Sequence, residues 1–145
     1  MIVYLDTSSL VKLYVEEAGS EHVHGWVSRA GAVATSRVAY AEAMAAFGRR
    51  HRDGTLPKEG FSELLQAFAR DWRRLAVLDL NEVAAGDLAI KHGLRGFDAI
   101  HLDAALTIHQ QARDSSVGFS SFDQALNAAA AKEGLRVLGP EARSK

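Results

Sequence analysis

Four acidic residues stand at places where carboxylates often carry chemistry in α/β proteins. Asp6 and Asp123 each follow a short run typical of a buried β-strand. Because parallel strands end at the same edge of a sheet, these two side chains are expected to lie close together. Asp98 stands at the expected start of a helix, and Glu42 lies within a helical segment of small and apolar residues. The four carboxylates are therefore candidates for one site.

Each of the three aspartates also has a structural interpretation. Asp6, Asp98 and Asp123 all stand where an Asp side chain caps the N-terminus of a helix, so none of them is strong evidence alone. Glu42 cannot be a cap, and the residues three or four positions away from it are apolar. A carboxylate on a buried helix face is rare unless it is paired or binds a metal. The alternative, an exposed edge of an Ala-rich helix, is the less favoured interpretation.

Four carboxylates that meet without a basic partner repel one another and raise some of their pKa values. A hard divalent cation removes this repulsion, because Mg²⁺ and Mn²⁺ bind carboxylate oxygens and water. The chain has no cysteine, so disulfides and thiolate metal sites are excluded. The pattern therefore predicts a Mg²⁺ or Mn²⁺ site rather than a zinc site.

The elements that would position these acids alternate regularly along the chain. Five short apolar segments have the length and composition of strands: residues 2–5, 32–35, 76–78, 117–119 and 135–138. Helical segments separate them, which predicts an α/β domain over residues 1–145 with a central parallel sheet of four to five strands and helices on both faces.

Several helix boundaries follow from local signals. Ser36 is predicted as the N-cap of the helix that carries Glu42, and Leu56–Pro57 as the start of the next one. The first helix is expected to reach Val15. The helix after Leu56–Pro57 carries a broad apolar stripe that is expected to pack mainly in the core and is also a candidate surface for a helix of a partner protein or for a second subunit: Phe61, Leu64, Leu65, Phe68, Trp72 and Leu75.

Composition narrows the functional classes. The net charge is −1, with 17 Lys and Arg against 18 Asp and Glu, whereas proteins that coat nucleic acid by electrostatics alone are basic. No leader precedes the first strand and no apolar run approaches about 18 residues, so neither secretion nor membrane spanning is expected. The chain is predicted to be cytoplasmic.

Four segments resemble, in order, the motifs of PIN-domain proteins, and more narrowly those of the VapC-type ribonuclease toxins of toxin–antitoxin pairs. They are residues 4–14 (YLDTSSLVKLY), Glu42 within its helix, residues 93–102 (GLRGFDAIHL) and residues 119–123 (FSSFD). The resemblance implies a Rossmann-like three-layer sandwich, a carboxylate-bound Mg²⁺ or Mn²⁺, endonucleolytic cleavage of RNA, homodimers and neutralisation by a small antitoxin.

Carried onto matching positions, the resemblance makes Asp6 and Asp98 the principal metal ligands. Glu42 and Asp123 would complete the acidic pocket directly or through water. Thr7 and Ser121 become candidates for the hydrogen bonds that orient these ligands. A bound divalent ion would activate water for attack on the phosphodiester.

Other charged residues carry weaker signals. His101 is interpreted as a structural hydrogen-bonding residue rather than a general acid. Asp103 stands where the family usually has alanine, and it lies about 140° around a helix from Asp98, so it is expected to face elsewhere. A basic cluster that ends the Glu42 helix is either an ordinary helix-terminal feature or a contact for RNA: Arg49, Arg50 and Arg52.

Two other classes of protein fit less well. A phosphohydrolase with an acidic metal site typically needs a second acid beside Asp6, and residues 7–9 supply none. A nucleotide-binding module needs a Gly-rich turn after the first strand, and no G-x-G-x-x-G motif occurs. A catalytically silent PIN-like interaction module remains an alternative, which the presence of all four acids disfavours.

Overall fold

Five parallel strands form the central sheet of the protein, which a computed structural model describes over residues 1–139. The order across the sheet is β3-β2-β1-β4-β5. The strands are β1 (Ile2–Leu5), β2 (Ala32–Ser36), β3 (Ala76–Leu78), β4 (Val117–Ser120) and β5 (Arg136–Leu138). The predicted α/β fold with a parallel sheet is confirmed, and the domain predicted over residues 1–145 is described up to residue 139.

Helices cover both faces of this sheet. They are α1 (Thr7–Val11), α2 (Ser20–Arg29), α3 (Ala39–Arg52), α4 (Phe61–Trp72), α5 (Glu82–His92), α6 (Gly96–Gln111) and α7 (Gln124–Lys132). One core, with Val3 and Leu5 at the sheet, packs against the first four helices. The other core, with Tyr4 and Ala34 at the sheet, packs against α5, α6 and α7. The result is the predicted three-layer sandwich.

Strand β1 lies at the centre of the sheet, paired with β2 on one side and β4 on the other. Val3, Tyr4 and Leu5 are fully buried although they point to alternate faces, as expected for a strand covered on both sides. The chain proceeds from β1 through β2 to β3 in one direction, and β4 and β5 lie in the other. This reversal opens a crevice at the carboxyl ends of β1 and β4, where α/β proteins bind ligands.

The ends of two helices near β1 and β2 differ from the sequence prediction. Ser36 is not the N-cap of α3, because it is the last, buried residue of β2. Its hydroxyl accepts a hydrogen bond from the backbone N–H of Val38 at 3.3 Å, and α3 begins at Ala39. Helix α1 ends at Val11 rather than Val15, since the following residues form turns.

Two later helices also begin at unexpected residues. Helix α4 starts at Phe61 and not at Leu56–Pro57, because its N-cap Gly60 adopts a positive φ of 81°, which a right-handed helix cannot continue through. Helix α6 starts at Gly96, so Asp98 lies inside its first turn and does not cap it. The predicted structural role of Asp98 as an N-cap is therefore wrong.

The apolar stripe of α4 packs against its own domain. Phe68 is fully buried, and its ring centroid lies 5.1 to 5.3 Å from those of Tyr14, Tyr40 and Phe47. Trp72 packs against Tyr40 at 5.1 Å between ring centroids. Phe68 therefore cannot be part of a docking surface for an antitoxin or a second subunit, whereas the partly buried remainder of the stripe stays a candidate.

Glu133 ties α7 to the end of α5. Its carboxylate lies 2.8 Å from Lys91 Nζ and 2.6 Å from His92 Nε2, and these hydrogen bonds lower the pKa of Glu133 below its ordinary value of 4.5. A carboxylate that is more acidic in the folded chain stabilises the fold above its unfolded-state pKa. This contribution is lost as the pH falls through the lowered folded-state pKa.

Glu133→Gln should therefore lower the free energy of unfolding by up to about 1 kcal/mol near neutral pH. The difference from wild type should shrink as the pH falls below 4.5 and disappear at acidic pH, once the carboxyl is protonated in both the folded and the unfolded chain. Urea denaturation at neutral and at acidic pH measures this. An equal difference in the free energy of unfolding at both pH values would show that the hydrogen bonds to Glu133 do not depend on its charge.

Candidate active site

All four predicted acids line one cavity of about 310 Å³ at the carboxyl edge of the sheet. Asp6 follows β1 and caps α1, with its carboxylate accepting from the backbone N–H of Ser9 at 3.0 Å. Asp123 follows β4 by three residues and caps α7 in the same way. Asp6 and Asp123 thus each cap a helix and also line the cavity. Glu42 reaches the cavity from α3 and Asp98 from α6.

Asp6 is the most buried of the four acids, with 4% of its surface exposed. Burial raises the pKa of Asp6, while the neighbouring His101 and hydrogen bonds from Ser121, Ser8 and Ser9 oppose that rise. The Ser8 hydroxyl donates to the Asp6 carboxylate at 2.6 Å. Burial away from water disfavours the charged form of this carboxylate despite these donors, and a cation beside it would offset that effect.

Glu42 is held by a chain of hydrogen bonds that runs back into the core. The Thr7 hydroxyl donates to Glu42 Oε1 at 2.5 Å, and His101 Nε2 lies 3.1 Å from the same oxygen. His101 is 2% exposed, and its Nδ1 lies 2.8 Å from the hydroxyl of Tyr4. Although partial burial acts to raise the pKa of Glu42, the hydrogen bonds from His101 and Thr7 lower it overall. The interpretation of His101 as a structural hydrogen-bonding residue agrees with these contacts.

Thr7 and Ser121 both contact the predicted acids. Thr7 binds Glu42, as described above, and lines the cavity. Ser121 is buried, and its hydroxyl accepts from the backbone N–H of Asp123 at 3.0 Å. Each hydroxyl thus orients a candidate ligand or the backbone that carries it. Asp103 lies outside this cavity; its partial burial raises the pKa of its carboxyl group.

The sequence interpretation missed Arg95. Its Nε lies 3.0 Å from Asp98 Oδ2, and its Nη2 lies 3.3 Å from Asp123 Oδ2. The assumption that the acids meet without a basic partner is therefore wrong. Arg95 stands three residues before Asp98, a spacing that brings opposite charges together on a helix. The pairing of Arg95 with Asp98 could have been predicted from this spacing.

The donor set has the chemistry of a hard-metal site. Apart from His101, which is bonded to Glu42 and Thr7, its metal-binding groups are carboxylate and hydroxyl oxygens, which Mg²⁺ and Mn²⁺ prefer, and the sequence has no thiol. Within residues 1–139, however, no three Asp, Glu or His side chains are already arranged around one metal position. Asp98 and Asp123 are turned to Arg95, and Glu42 to Thr7 and His101. The residues fit the ion, provided that these acids change partners.

A second cavity continues from the acids towards the basic cluster. It has a volume of about 510 Å³ and is lined by Thr7, Ser8 and Glu42, which also line the acidic cavity, and by Lys12, Arg49 and Arg50. Glu17 pairs with Lys12 at 2.7 Å and with Arg50 at 3.0 Å. Arg52 does not line this cavity. Of the three predicted arginines, two therefore face the site, and Lys12 is a further cation that the sequence interpretation did not include.

Large exposed apolar side chains are concentrated between residues 80 and 97. Val83 and Ile90 lie two turns apart on α5 and are 72% and 88% exposed, and Phe97 at the start of α6 is 57% exposed. Phe97 also lines a cavity together with Arg95 and Asp98. The exposed apolar side chains of α5 were difficult to predict from the sequence, because α5 carries apolar residues on its inner face as well.

The parallel sheet and the acidic crevice at its edge agree with the architecture of the PIN domain. The PIN domain family matches residues 3–136 of this chain. The chain belongs to the PIN-domain family, as its motifs predicted. PIN-domain ribonucleases generally depend on a divalent metal ion.

Within that family the chain is similar to the VapC ribonucleases. It is 35% identical to Ribonuclease VapC45 of Mycobacterium tuberculosis (strain CDC 1551 / Oshkosh) over 143 residues, which cover 94% of each chain. The family placement predicted from the four motifs is thus confirmed at the level of VapC-type proteins.

Solved structures share the fold at lower identity. PAE2754 from Pyrobaculum aerophilum superposes with a TM-score of 0.65 at 20% identity, over 94% of this chain and 83% of that one. VapBC-1 from nontypeable Haemophilus influenzae gives a TM-score of 0.62 at 17% identity, over 95% of this chain and 97% of that one.

Across residues 1–139, none of the helices combines the length and the apolar composition needed to cross a bilayer.

Proposed function

We propose that this protein is an endoribonuclease that uses a divalent metal ion and acts as the toxin of a toxin–antitoxin pair. The observation that carries the proposal is the meeting of Asp6, Glu42, Asp98 and Asp123 in one cavity at the switch point of the sheet. Similarity to a named VapC ribonuclease over 94% of the chain supports the choice of RNA as substrate. The proposed location is the cytoplasm, where RNA and a newly made antitoxin are both present.

Asp6 and Asp98 are the proposed ligands of a Mg²⁺ or Mn²⁺ ion, with Glu42 and Asp123 binding it directly or through water. Such an ion supplies the Lewis acid that activates water for attack on a phosphodiester and neutralises the charge that develops. Of the four acids, Glu42 has its negative form stabilised by Thr7 and His101, so it is suited to orient an attacking water. Ser8 and Ser9 hold the Asp6 carboxylate in position.

Incubation of the purified protein with total RNA tests this function. Cleavage is expected in Mg²⁺ or Mn²⁺, with products that carry a 5′-phosphate and a 3′-hydroxyl, and it should stop on addition of EDTA. Cleavage that continues in EDTA would exclude the metal mechanism. An absence of cleavage with either ion, in a protein that still binds its antitoxin, would favour the silent interaction module.

The proposed path for the RNA backbone runs along the cavity between the acids and the basic cluster. Arg49 and Lys12 line that cavity, whereas Arg52, on the same helix end as Arg49, does not. Glu17 fixes Arg50 and Lys12 at its wall. Phosphate contacts of this kind position the substrate without reading its sequence.

Arg49→Gln should weaken RNA binding about three- to tenfold and reduce the slope of log affinity against log salt by about one, as expected for one lost phosphate contact. Arg52→Gln is the matched control, because it removes the same charge outside the cavity. Fluorescence anisotropy with a labelled RNA, on the catalytically inactive Asp6→Asn background, measures both. Equal losses in the two variants would place the RNA elsewhere.

The partners proposed are a small antitoxin and a second copy of this chain. The antitoxin follows from the similarity to VapC and from the fold shared with VapBC-1. For the second copy we propose the exposed apolar side chains of α5 together with Phe97, because a homodimer would cover them and Phe97 lines a cavity together with Arg95 and Asp98. A two-fold axis allows one apolar face to pack against its own copy.

Ile90→Glu should therefore weaken dimerisation by at least about tenfold, because it places a charge in an apolar interface. Analytical ultracentrifugation over a concentration series measures the change. Ala128→Glu, on the exposed face of α7, is the control and should leave self-association unchanged. If Ile90→Glu and wild type associate alike, the dimer uses another surface.

A further inference from the structure

Arg95 holds two of the four acids of the site. Its guanidinium bonds to one carboxylate oxygen of Asp98 and one of Asp123, at 3.0 and 3.3 Å. These two acids come from different elements, α6 and the loop after β4, so the arginine bridges opposite walls of the cavity. Such a bridge neutralises charge at the position that the two carboxylates share.

We propose that Arg95 is the resident counter-ion of the acidic cavity and that it competes with the divalent ion for Asp98 and Asp123. The arginine thereby sets the metal concentration at which the site fills. This inference rests on the proposed function, since it assumes that the four acids bind a divalent ion at all.

The exposure of Arg95 makes the exchange feasible. Its side chain is 80% exposed, whereas that of Asp98 is 18% exposed, so the arginine can swing into water while the acid stays in place. Exposed ion pairs are weak, because water solvates both partners well when they separate. A divalent ion has twice the charge of a guanidinium and binds carboxylate oxygens directly. We therefore expect the ion to displace Arg95. Because the ion must break the ion pairs of Arg95 to do so, it binds the site somewhat more weakly than it would without the arginine.

The same competition accounts for the arrangement of the acids. No three of them are poised around one metal position in residues 1–139, although all four line one cavity. Two of the four, Asp98 and Asp123, are paired with the Arg95 guanidinium. A role limited to the first turn of α6 would need only the contact with Asp98. The second contact, with Asp123, connects Arg95 to the site.

Metal binding without RNA tests the inference. Mn²⁺ is titrated into the wild-type protein and into Arg95→Gln, and free Mn²⁺ is followed by electron paramagnetic resonance. Loss of two exposed ion pairs should tighten Mn²⁺ binding about three- to tenfold. Arg95→Lys keeps the charge but cannot bridge both acids with a planar fork, so it should give an intermediate affinity.

Arg37→Gln is the charge-matched control, because Arg37 is an exposed arginine paired with Asp79 outside the cavity. It should bind Mn²⁺ as the wild type does. Side-chain Nε–H resonances provide a second readout. The signal assigned to Arg95 by its loss in Arg95→Gln should shift on addition of Mg²⁺ and return with EDTA.

The outcomes separate this inference from the proposed function. Equal Mn²⁺ affinity in wild type and Arg95→Gln, with an Arg95 signal that does not respond to Mg²⁺, would overturn the competition while leaving the metal site intact. Tightening of the same size in Arg37→Gln would also overturn it, because net charge alone would then be responsible. A wild-type protein that binds no Mn²⁺ would overturn both.

Discussion

Asp6→Asn should abolish RNA cleavage without weakening the fold. Even residues that only support metal ligands typically cost about 10- to 100-fold in activity when replaced, so the loss of a principal ligand should exceed about a hundredfold. The readout is the rate of cleavage of total RNA in saturating Mg²⁺. Asp79→Asn is the matched control, since Asp79 follows β3 at the same edge of the sheet but lies outside the cavity.

The stability of this variant follows from the environment of Asp6. Asparagine caps a helix as well as aspartate does, so the bond to the Ser9 N–H can be kept. Burial raises the pKa of Asp6, so the folded chain binds this proton more tightly than the unfolded chain. Stability is therefore lost as the pH rises from the unfolded-state pKa through the folded-state pKa. The neutral amide removes that loss.

Thermal unfolding near neutral pH should accordingly show Asp6→Asn to be as stable as the wild type or more stable. A clearly less stable variant would mean that Asp6 serves mainly the fold, as the N-cap of α1. Retained cleavage in a folded variant would remove Asp6 from the site.

Phe68→Ala should cause the largest loss of stability among the substitutions considered. The side chain is fully buried among Tyr14, Tyr40, Phe47 and Trp72. Truncation of a buried Phe costs about 3–5 kcal/mol, because apolar contacts are lost and a cavity remains. That is a large part of the roughly 5–15 kcal/mol by which domains are stable.

Urea denaturation measures the effect of Phe68→Ala. Phe68→Leu is the matched variant, and it should lose distinctly less, because it leaves a smaller cavity. A loss below about 1 kcal/mol in Phe68→Ala would show that α4 does not pack as described and would reopen the stripe as a docking surface.

The sequence predicted the sheet well because its strands are short apolar runs with clear ends. Val3, Tyr4 and Leu5 are buried on both faces of a central strand, which requires continuous apolar character. Helix starts were predicted less well. Helix α4 begins only after Gly60, which has a positive φ. Glycine permits such a φ, but its presence in a sequence does not show that the φ is adopted. Ser36 is the last residue of β2 and not a helix cap, because the strand is one residue longer than predicted.

The acids of the site could be predicted from the sequence. Asp6 and Asp123 follow strands, and Glu42 lies on an apolar helix face where a glutamate has no evident structural role. Their partners could not be predicted in this way. Arg95 contacts Asp123 across 28 residues of sequence, and such a contact depends on how α6 meets the end of β4. The pairing of Glu42 with His101 likewise joins α3 to α6 over the end of β1. Contacts between elements depend on tertiary packing, which local patterns do not specify.

The most direct test of the metal site is a crystal structure with Mn²⁺, in which anomalous scattering locates the ion. The predicted result is one strong peak between the carboxylates of Asp6 and Asp98, with Arg95 displaced from Asp98 and Asp123. A peak bound by other residues would contradict the site proposed here. So would the absence of any peak at these acids, at a Mn²⁺ concentration that supports RNA cleavage.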